Sequence, residues 1–307
     1  MGDRLTEMRV FVRVARLGSF AAAARELRLS TSAASRRVSE LERALGARLI
    51  QRTTRQLKLT EEGAAYLERS ERILEEIDEL ESTLADRRVA PRGRLRVAAG
   101  VSFGQEQILP LLPAFLARYP DLVVELELSD RFVDLVAEGI DVAIRIGRLA
   151  DSSLVARRLA TSRSVLCASP AYLRRAGDPA TPAELSQHPC VVDRNAPRAW
   201  TLVGADGSHQ VMPEGPLHVN SAHAVRDAVL AGIGIGLVPL FVAGANLADG
   251  SLAPVLPSFK LGAVGVHAVY PHTRQLSPKV RHWVDHLAES FGDPPGWERG
   301  RTSDASG

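Results

Sequence analysis

Cysteine is nearly missing from this chain: only Cys167 and Cys190 occur among 307 residues. Two thiols are too few for a disulfide framework or a four-cysteine zinc site, and a reducing compartment is the simplest setting. Long apolar runs are missing too, since no stretch approaches the ~20 residues of a membrane span. The opening segment MGDRLTEMRVFVRVAR is broken by charges every few residues and lacks the apolar core of a signal peptide. A cytoplasmic protein with no membrane partner is therefore expected. Catalytic signatures are equally scarce. There is no Walker-type loop and no Gly-x-Ser-x-Gly elbow. Gly232-Ile-Gly-Ile-Gly236 follows a predicted helix and precedes a predicted strand, the reverse of the dinucleotide fingerprint. It reads as a tight turn. His282 and His286 are four apart but have no clear third ligand, and His223 with Asp227 reads as surface or interface. No constellation demands an enzyme, a metal or a cofactor.

What is present is an ordinary globular composition, 45% hydrophobic and 24% charged. The length allows roughly two domains. The net charge of +2 conceals a segregation. Residues 1–59 hold thirteen basic and five acidic residues, a net +8; residues 60–90 hold four and ten, a net −6; the rest is neutral. A basic head, an acidic connector and a neutral body suggest three jobs. A compact basic head is the electrostatic footprint of a nucleic-acid binder, although a merely solvated basic surface would look the same by charge alone.

The head reads as three short helices. Met8, Phe11, Val14 and Leu17 recur at helical spacing, and Gly18 ends that helix. Ser19 can cap the helix-favouring Phe20-Ala-Ala-Ala-Ala-Arg-Glu-Leu27, and Ser30 can cap a third helix from about Thr31 to Leu45. Ala34, Val38, Leu41 and Leu45 form the apolar stripe of that third helix. Ser32, Ser35, Arg36, Ser39 and Arg43 fall on its outward side. Small hydroxyl residues let a helix approach a major groove, where Arg reaches guanine and Ser bonds bases or phosphates. Arg37 stands to one side and suits a phosphate. Leu57 and Leu59 alternate with Lys58 as in a short strand, so Arg52-Thr-Thr-Arg55 becomes the tip of a β-ribbon wing able to reach the DNA backbone or a minor groove.

Phe11, Ser19-Phe20, Ala22-Ala23 and Leu27 stand in a fixed spacing with Ser32, Ser35-Arg36, Val38, Leu41-Glu42 and Leu45-Gly46. The pattern continues through Leu49, Arg52-Thr53-Thr54-Arg55, Leu59-Thr60 and Gly63. It resembles the N-terminal winged helix-turn-helix of the LysR-type transcriptional regulators over some sixty positions. The resemblance implies double-stranded DNA as partner, with contacts from the positions of Ser32, Ser35, Arg36, Arg52 and Thr53. Thr31, Arg37 and Arg55 complete the expected DNA-binding set.

In the connector, Thr60 can cap a helix whose first turn carries Glu61 and Glu62. Tyr66, Ile73 and Leu80 are seven apart, and Ile77 and Leu84 repeat at an offset of four. This is an a/d seam over about two and a half heptads, on a helix ~40 Å long. It can dimerise, setting two heads on one duplex, or pack on the chain's own body. The family resemblance favours the dimer. Arg87-Arg88-Val-Ala-Pro-Arg-Gly93 reads as a hinge, so residues 61–93 form a linker.

From residue 94 to 291, strand-like and helix-like segments alternate, the sign of an α/β domain. A helix is expected over Phe132–Glu138, and the Gly/Pro/Asp/Ser-rich stretch 292–307 reads as a disordered tail. Asp141-Val-Ala-Ile-Arg-Ile-Gly147 and the run Val219-Asn-Ser221 to Val238-Pro239 are similar to the effector domain of the same family. That domain looks like a periplasmic binding protein. The resemblance implies two α/β lobes, about 94–160 with 265–291 and about 161–264, with a small-molecule effector between them. Ser102, Ser129, Asn220 and Ser221 follow predicted strands, where helix N-termini favour an anion. Phe103 and Arg145 join them as expected effector-binding residues; helix caps, an ion pair and core packing would explain these residues equally well. The whole reading is an all-α winged helix-turn-helix head, a long linker helix and a two-lobed α/β effector domain. It describes a sequence-specific transcriptional regulator, a homodimer or homotetramer, with RNA polymerase as a candidate partner. The alternative is a small-molecule-binding protein or enzyme carrying an accessory nucleic-acid-binding head.

Overall fold

The computed structural model describes residues 3–52, 57–85, 90–131, 133–147, 149, 154–274 and 277–301. They form two units, Met1–Val89 and Ala90–Gly307. The first begins with α1 (Arg4–Leu17), α2 (Phe20–Glu26) and α3 (Thr31–Leu45). Ser19 and Ser30 act as N-caps, their hydroxyls accepting from Ala22 N at 3.2 Å and Ala33 N at 3.1 Å. Without those acceptors one amide donor in each first turn would lose its partner. Val10, Phe11 and Val14 of α1 close on Ala23, Ala24, Ala34, Val38 and Leu41 in one buried cluster. Leu45 leaves the expected stripe: it is 40% exposed, because the last turn of α3 runs past this small core.

The ribbon follows, with β1 (Ile50–Arg52) antiparallel to β2 (Leu57–Leu59) and Ile50 opposite Leu59. Glu42 near the end of α3 ties it down, its Oε1 accepting from Leu49 N at 2.8 Å and Ile50 N at 3.0 Å. Thr60 then caps α4 (Glu61–Ala85), accepting from Gly63 N at 2.9 Å and donating to Arg48 O at 2.6 Å. Gly63 is required here: a Cβ would stand 2.0 Å from Leu49 O. The first turns of α4 lie on α1. Tyr66 meets Phe11 edge-on at 5.5 Å between ring centres, and Arg16 pairs with Glu71. Tyr66 is thus spent on the head's own core rather than on a seam between chains. Farther along, Ile73 is 45% exposed and Ile77 half-buried, while the side chains of Leu80 and Leu84 lie outside the described residues.

The second unit holds two five-stranded sheets built alike. In lobe I, β3 (Gly93–Ala99) lies parallel to β4 (Leu122–Leu128) and to β5 (Val142–Ile146). Between β3 and β4 the chain is helical throughout residues 101–118. It opens as α5 (Val101–Phe103), passes a π turn (Gly104–Ile108) and a 3-10 turn (Leu109–Leu111), and ends as α6 (Leu112–Arg118). The change of pitch falls at Pro110, which has no N–H for the regular helical bond. β6 (Leu154–Ser162) leads through Arg163 alone into lobe II at β7 (Ser164–Ala168). Lobe II continues with α7 (Pro170–Ala176), β8 (Cys190–Asp193), β9 (Trp200–Gly204), β10 (Gly207–Val211), β11 (Leu217–Val219) and α8 (Ala222–Leu230). Gly232, at φ +76°, then turns the chain into β12 (Ile235–Pro239), followed by α9 (Leu240–Ala248), β13 (Ala253–Pro254) and β14 (Lys260–Leu261). The chain returns through residues 262–263 to β15 (Val264–Pro271) and α10 (Pro278–Phe291) of lobe I. The sheet orders are β4-β3-β5-β15-β6 and β11-β8-β12-β7-β13.

One hydrophobic cluster runs through both lobes, joining Val97, Phe103, Phe115 and Trp283 to Val165, Val225, Val238 and Phe241. Two expectations fail in this unit. Residues 135–139 form successive turns instead of the helix expected over Phe132–Glu138, because the Asp134 carboxylate accepts from Val136 N and Ala137 N in a local bend; Phe132 itself lies outside the described residues. The tail does not begin at 292: Gly296–Arg301 is a 3-10 helix with Trp297 and Glu298 packed inward, and residues 302–307 lie outside the described residues.

Candidate DNA interface and effector cleft

Helix α3 presents one polar face. Thr31, Ser32 and Arg43 are exposed, Arg36 is 73% exposed, and Ser35 and Ser39 are half-buried at its edge. Ser32 is held by Ser30, hydroxyl to hydroxyl at 3.0 Å, and Arg36 leans toward Glu40 at 3.9 Å. A pair so long and so exposed stabilises little, which leaves the guanidinium available. Arg37 is half-buried beside this face, with an Nε that finds no protein acceptor among the described residues. Arg52 ends β1, but its side chain and residues Thr53 and Arg55 lie outside the described residues.

Between the lobes of the second unit opens a cleft of about 560 Å³, lined by Val101, Leu128, Ser129, Asp130, Arg131, Arg194, Asn195 and Asn220. Every lining segment follows a strand end or opens a helix, the crevice where parallel α/β sheets bind ligands. Beside it Ser102 and Ser221 face one another across the lobes, their hydroxyl oxygens 3.5 Å apart. Ser221 is the N-cap of α8, and Ser102 lies in the first turn of α5. Two hydroxyls so spaced can both donate to a single anion oxygen at an ordinary distance of about 2.7 Å. Further bonds cross the cleft. His223 N donates to Ser102 Oγ at 3.4 Å, and His223 Nε2 meets Glu106 Oε1 at 2.8 Å.

The charges here differ in availability. Arg131 is bound to Glu127 and Glu138, whereas exposed Arg194 has no ion pair among the described residues. Burial raises the Asp193 carboxyl above its ordinary range, the Asn195 amide opposes this, and Asp130 across the cleft adds to the rise. Of the residues singled out in the sequence, Ser129 and Asn220 line the cleft, and Ser102 and Ser221 meet beside it. Phe103 does not: at 2% exposure its ring sits in the core, edge-on to Phe241 at 5.1 Å. Arg145 also turns away. Strand alternation puts it on the sheet face of Ala143, where its Nη2 donates to Val133 O at 2.8 Å and burial lowers its pKa. Asp130, Arg131, Arg194 and Asn195 were missed; the signal was two polar tripeptides, Ser129-Asp-Arg131 and Asp193-Arg-Asn195, each at the end of a strand.

A family model described as bacterial regulatory helix-turn-helix protein, lysR family, matches residues 5–64, and one described as LysR substrate binding domain matches residues 88–292. The chain belongs to the LysR family of transcriptional regulators. The HTH-type transcriptional regulator DmlR of Escherichia coli is 39% identical over 292 residues, 94% of this chain and 95% of its own length. The activator AaeR of the same organism is 35% identical over 94% of each chain. The solved structure of CrgA from Neisseria meningitidis matches with a TM-score of 0.62 at 34% identity, covering 95% of this chain and 99% of that one. As a LysR-type regulator, this chain is a DNA-binding protein that responds to a small-molecule effector, and it is not an enzyme. Among the described residues no helix is long and apolar enough to cross a membrane.

Proposed function

We propose that α3 is the recognition helix, inserting Thr31, Ser32, Ser35 and Arg36 into a major groove. Arg37 and the wing residues Arg52, Thr53 and Arg55 hold the backbone. The carrying observation is the face itself: small hydroxyls and a loosely paired guanidinium on a helix anchored from behind by Ala34, Val38 and Leu41. The effector is a small anion, a carboxylate, accepted by the Ser102 and Ser221 hydroxyls at two facing helix N-termini, with Ser129 and Asn220 around it. Arg194 at the cleft, with no ion pair among the described residues, supports the same charge. The stripe that begins at Tyr66 emerges uncovered at Ile73, which supports dimerisation through α4, with Ile77, Leu80 and Leu84 continuing the seam and tetramers forming from such dimers. The regulator works in the cytoplasm, where RNA polymerase is the partner through which DNA occupancy acts.

Thermal-shift titration of the full chain with a panel of small carboxylates tests the effector assignment. A hydrogen bond to a charged group contributes about 1.5–3 kcal/mol, so Ser102→Ala and Ser221→Ala should each weaken a stabilising acid roughly ten- to hundredfold. Equal stabilisation of both variants and the parent would refute the site.

A further inference from the structure

The C-terminal segment was unremarkable as sequence, yet it lands on the joint between the lobes. Lobe I passes to lobe II through one residue, Arg163, and the returning strand lies beside it, with Val264 opposite Ser162. Glu298, only 5% exposed, grips this crossing: its Oε1 accepts from Arg163 N at 2.8 Å, and its Oε2 lies 3.6 Å from Arg163 Nε. On its other side Arg163 O accepts from Leu240 N of lobe II at 2.9 Å. The neighbouring Trp297 donates its Nε1–H to Thr161 O at 3.2 Å, on the lobe I side of the same crossing. Its ring stands edge-on to Phe103 at 5.8 Å and to Phe291 at 5.1 Å, and Phe103 in turn meets Phe241 of lobe II. Phe103 directly follows Ser102.

We propose that residues 292–301 are a hinge strap, in which Trp297 and Glu298 are positioning residues that set the angle between the lobes and hence the separation of Ser102 from Ser221. A buried carboxylate on the hinge amide fixes the backbone at the point where the lobes must rotate. The indole wedge holds the helix that carries Ser102. Closure around an effector has to move these contacts, so the strap sets the lobe angle on which the ligand acts. Its importance for regulation rests on the effector reading above, but the angle itself can be measured with no effector present.

The test places spin labels at Val136→Cys in lobe I and Met212→Cys in lobe II, both exposed positions, while the native Cys167 and Cys190 are buried. Labelled full-length chain is diluted into excess unlabelled chain so that only distances within a chain are read. The unaltered strap should give one narrow distance distribution. Trp297→Ala, Glu298→Ala and a chain ended after Gly292 should each shift its mean and widen it, and Trp297→Phe, which keeps the ring contacts, should restore most of the narrow peak. Circular dichroism and a melting curve accompany each variant. Distributions that superimpose on the parent in folded Trp297→Ala and Glu298→Ala would overturn the proposal. Loss of the fold in every variant would overturn it too, making the segment a general core element. Neither outcome bears on the serine assignment, which the carboxylate titration decides.

Discussion

Arg36 and Arg37 are adjacent but do different work in this account. Arg36 stands on the outward face of α3 and is assigned to a base edge, Arg37 stands beside it and is assigned to a phosphate. Arg37→Ala should weaken all duplexes about equally and lower the slope of log affinity against log salt by about 1, as read by fluorescence anisotropy. At the cleft, the Asp193 carboxyl holds its proton to higher pH in the folded chain than in the unfolded one. Folding stability therefore falls as pH rises from the ordinary carboxyl value of 3.8 through the raised one. Asp193→Asn should melt above the parent at pH 7 and show no advantage once both states are protonated, measured by calorimetry across that range. Cys190, fully buried, has a thiol pushed up to about 11 by that burial, and Cys167 is buried as well. A thiol reagent at pH 8 should find neither in the native chain and both after unfolding. Single residues were where the sequence was hardest to read. Phe103 and Arg145 sit at plausible positions, but only strand alternation and packing decide which way each side chain goes.

Elements were more legible, for a physical reason. In the head α2 and α3 open on their own serine caps, Ser19 and Ser30, and α1 and α3 are amphipathic by their own spacing, so local signals settle the structure. Where tertiary contacts decide, the signals fell short. The helix at Gly296–Arg301 forms against a hinge that sequence alone does not locate, while at 135–139 a local bend, with the Asp134 carboxylate accepting from amides two and three residues ahead, displaces the expected helix. The β9–β10 hairpin closes through Ala205-Asp206, with Gly204 paired to Gly207 at φ +122°, a turn that the alternation of larger elements hides in the sequence. The junction of wing and linker depends on Gly63. Gly63→Ala would force a methyl group onto Leu49 O and should destabilise the head by about 1–3 kcal/mol, seen as an earlier first melting transition. On α4 the apolar stripe is divided: α1 takes Tyr66, and exposed Ile73 onward is left for the proposed contact with a second copy of the chain. Ile73→Asp should therefore shift the assembly toward monomer in sedimentation velocity without melting the head.

For the whole molecule, the near-zero net charge is a sum over a basic head, an acidic connector and a neutral sensor. In the proposed reading the head supplies affinity for DNA, largely electrostatic and thus salt-dependent, and α3 supplies discrimination. The two-lobed body supplies a cleft whose state an effector changes only through its different affinity for the open and closed forms. The division was visible because charge, cap and spacing patterns change together near residues 60 and 93. The hinge strap was not, because its partners are more than a hundred residues away in sequence. The most direct test of the central claim is an anisotropy titration of the full chain on the duplex from its own upstream region, across a salt series, with Arg36→Ala in parallel. The account predicts affinity that falls linearly on the double-logarithmic salt plot. It also predicts a roughly ten- to hundredfold loss for Arg36→Ala, with relaxed preference for that duplex over a scrambled one. Binding by Arg36→Ala equal to the parent at every salt concentration would contradict it.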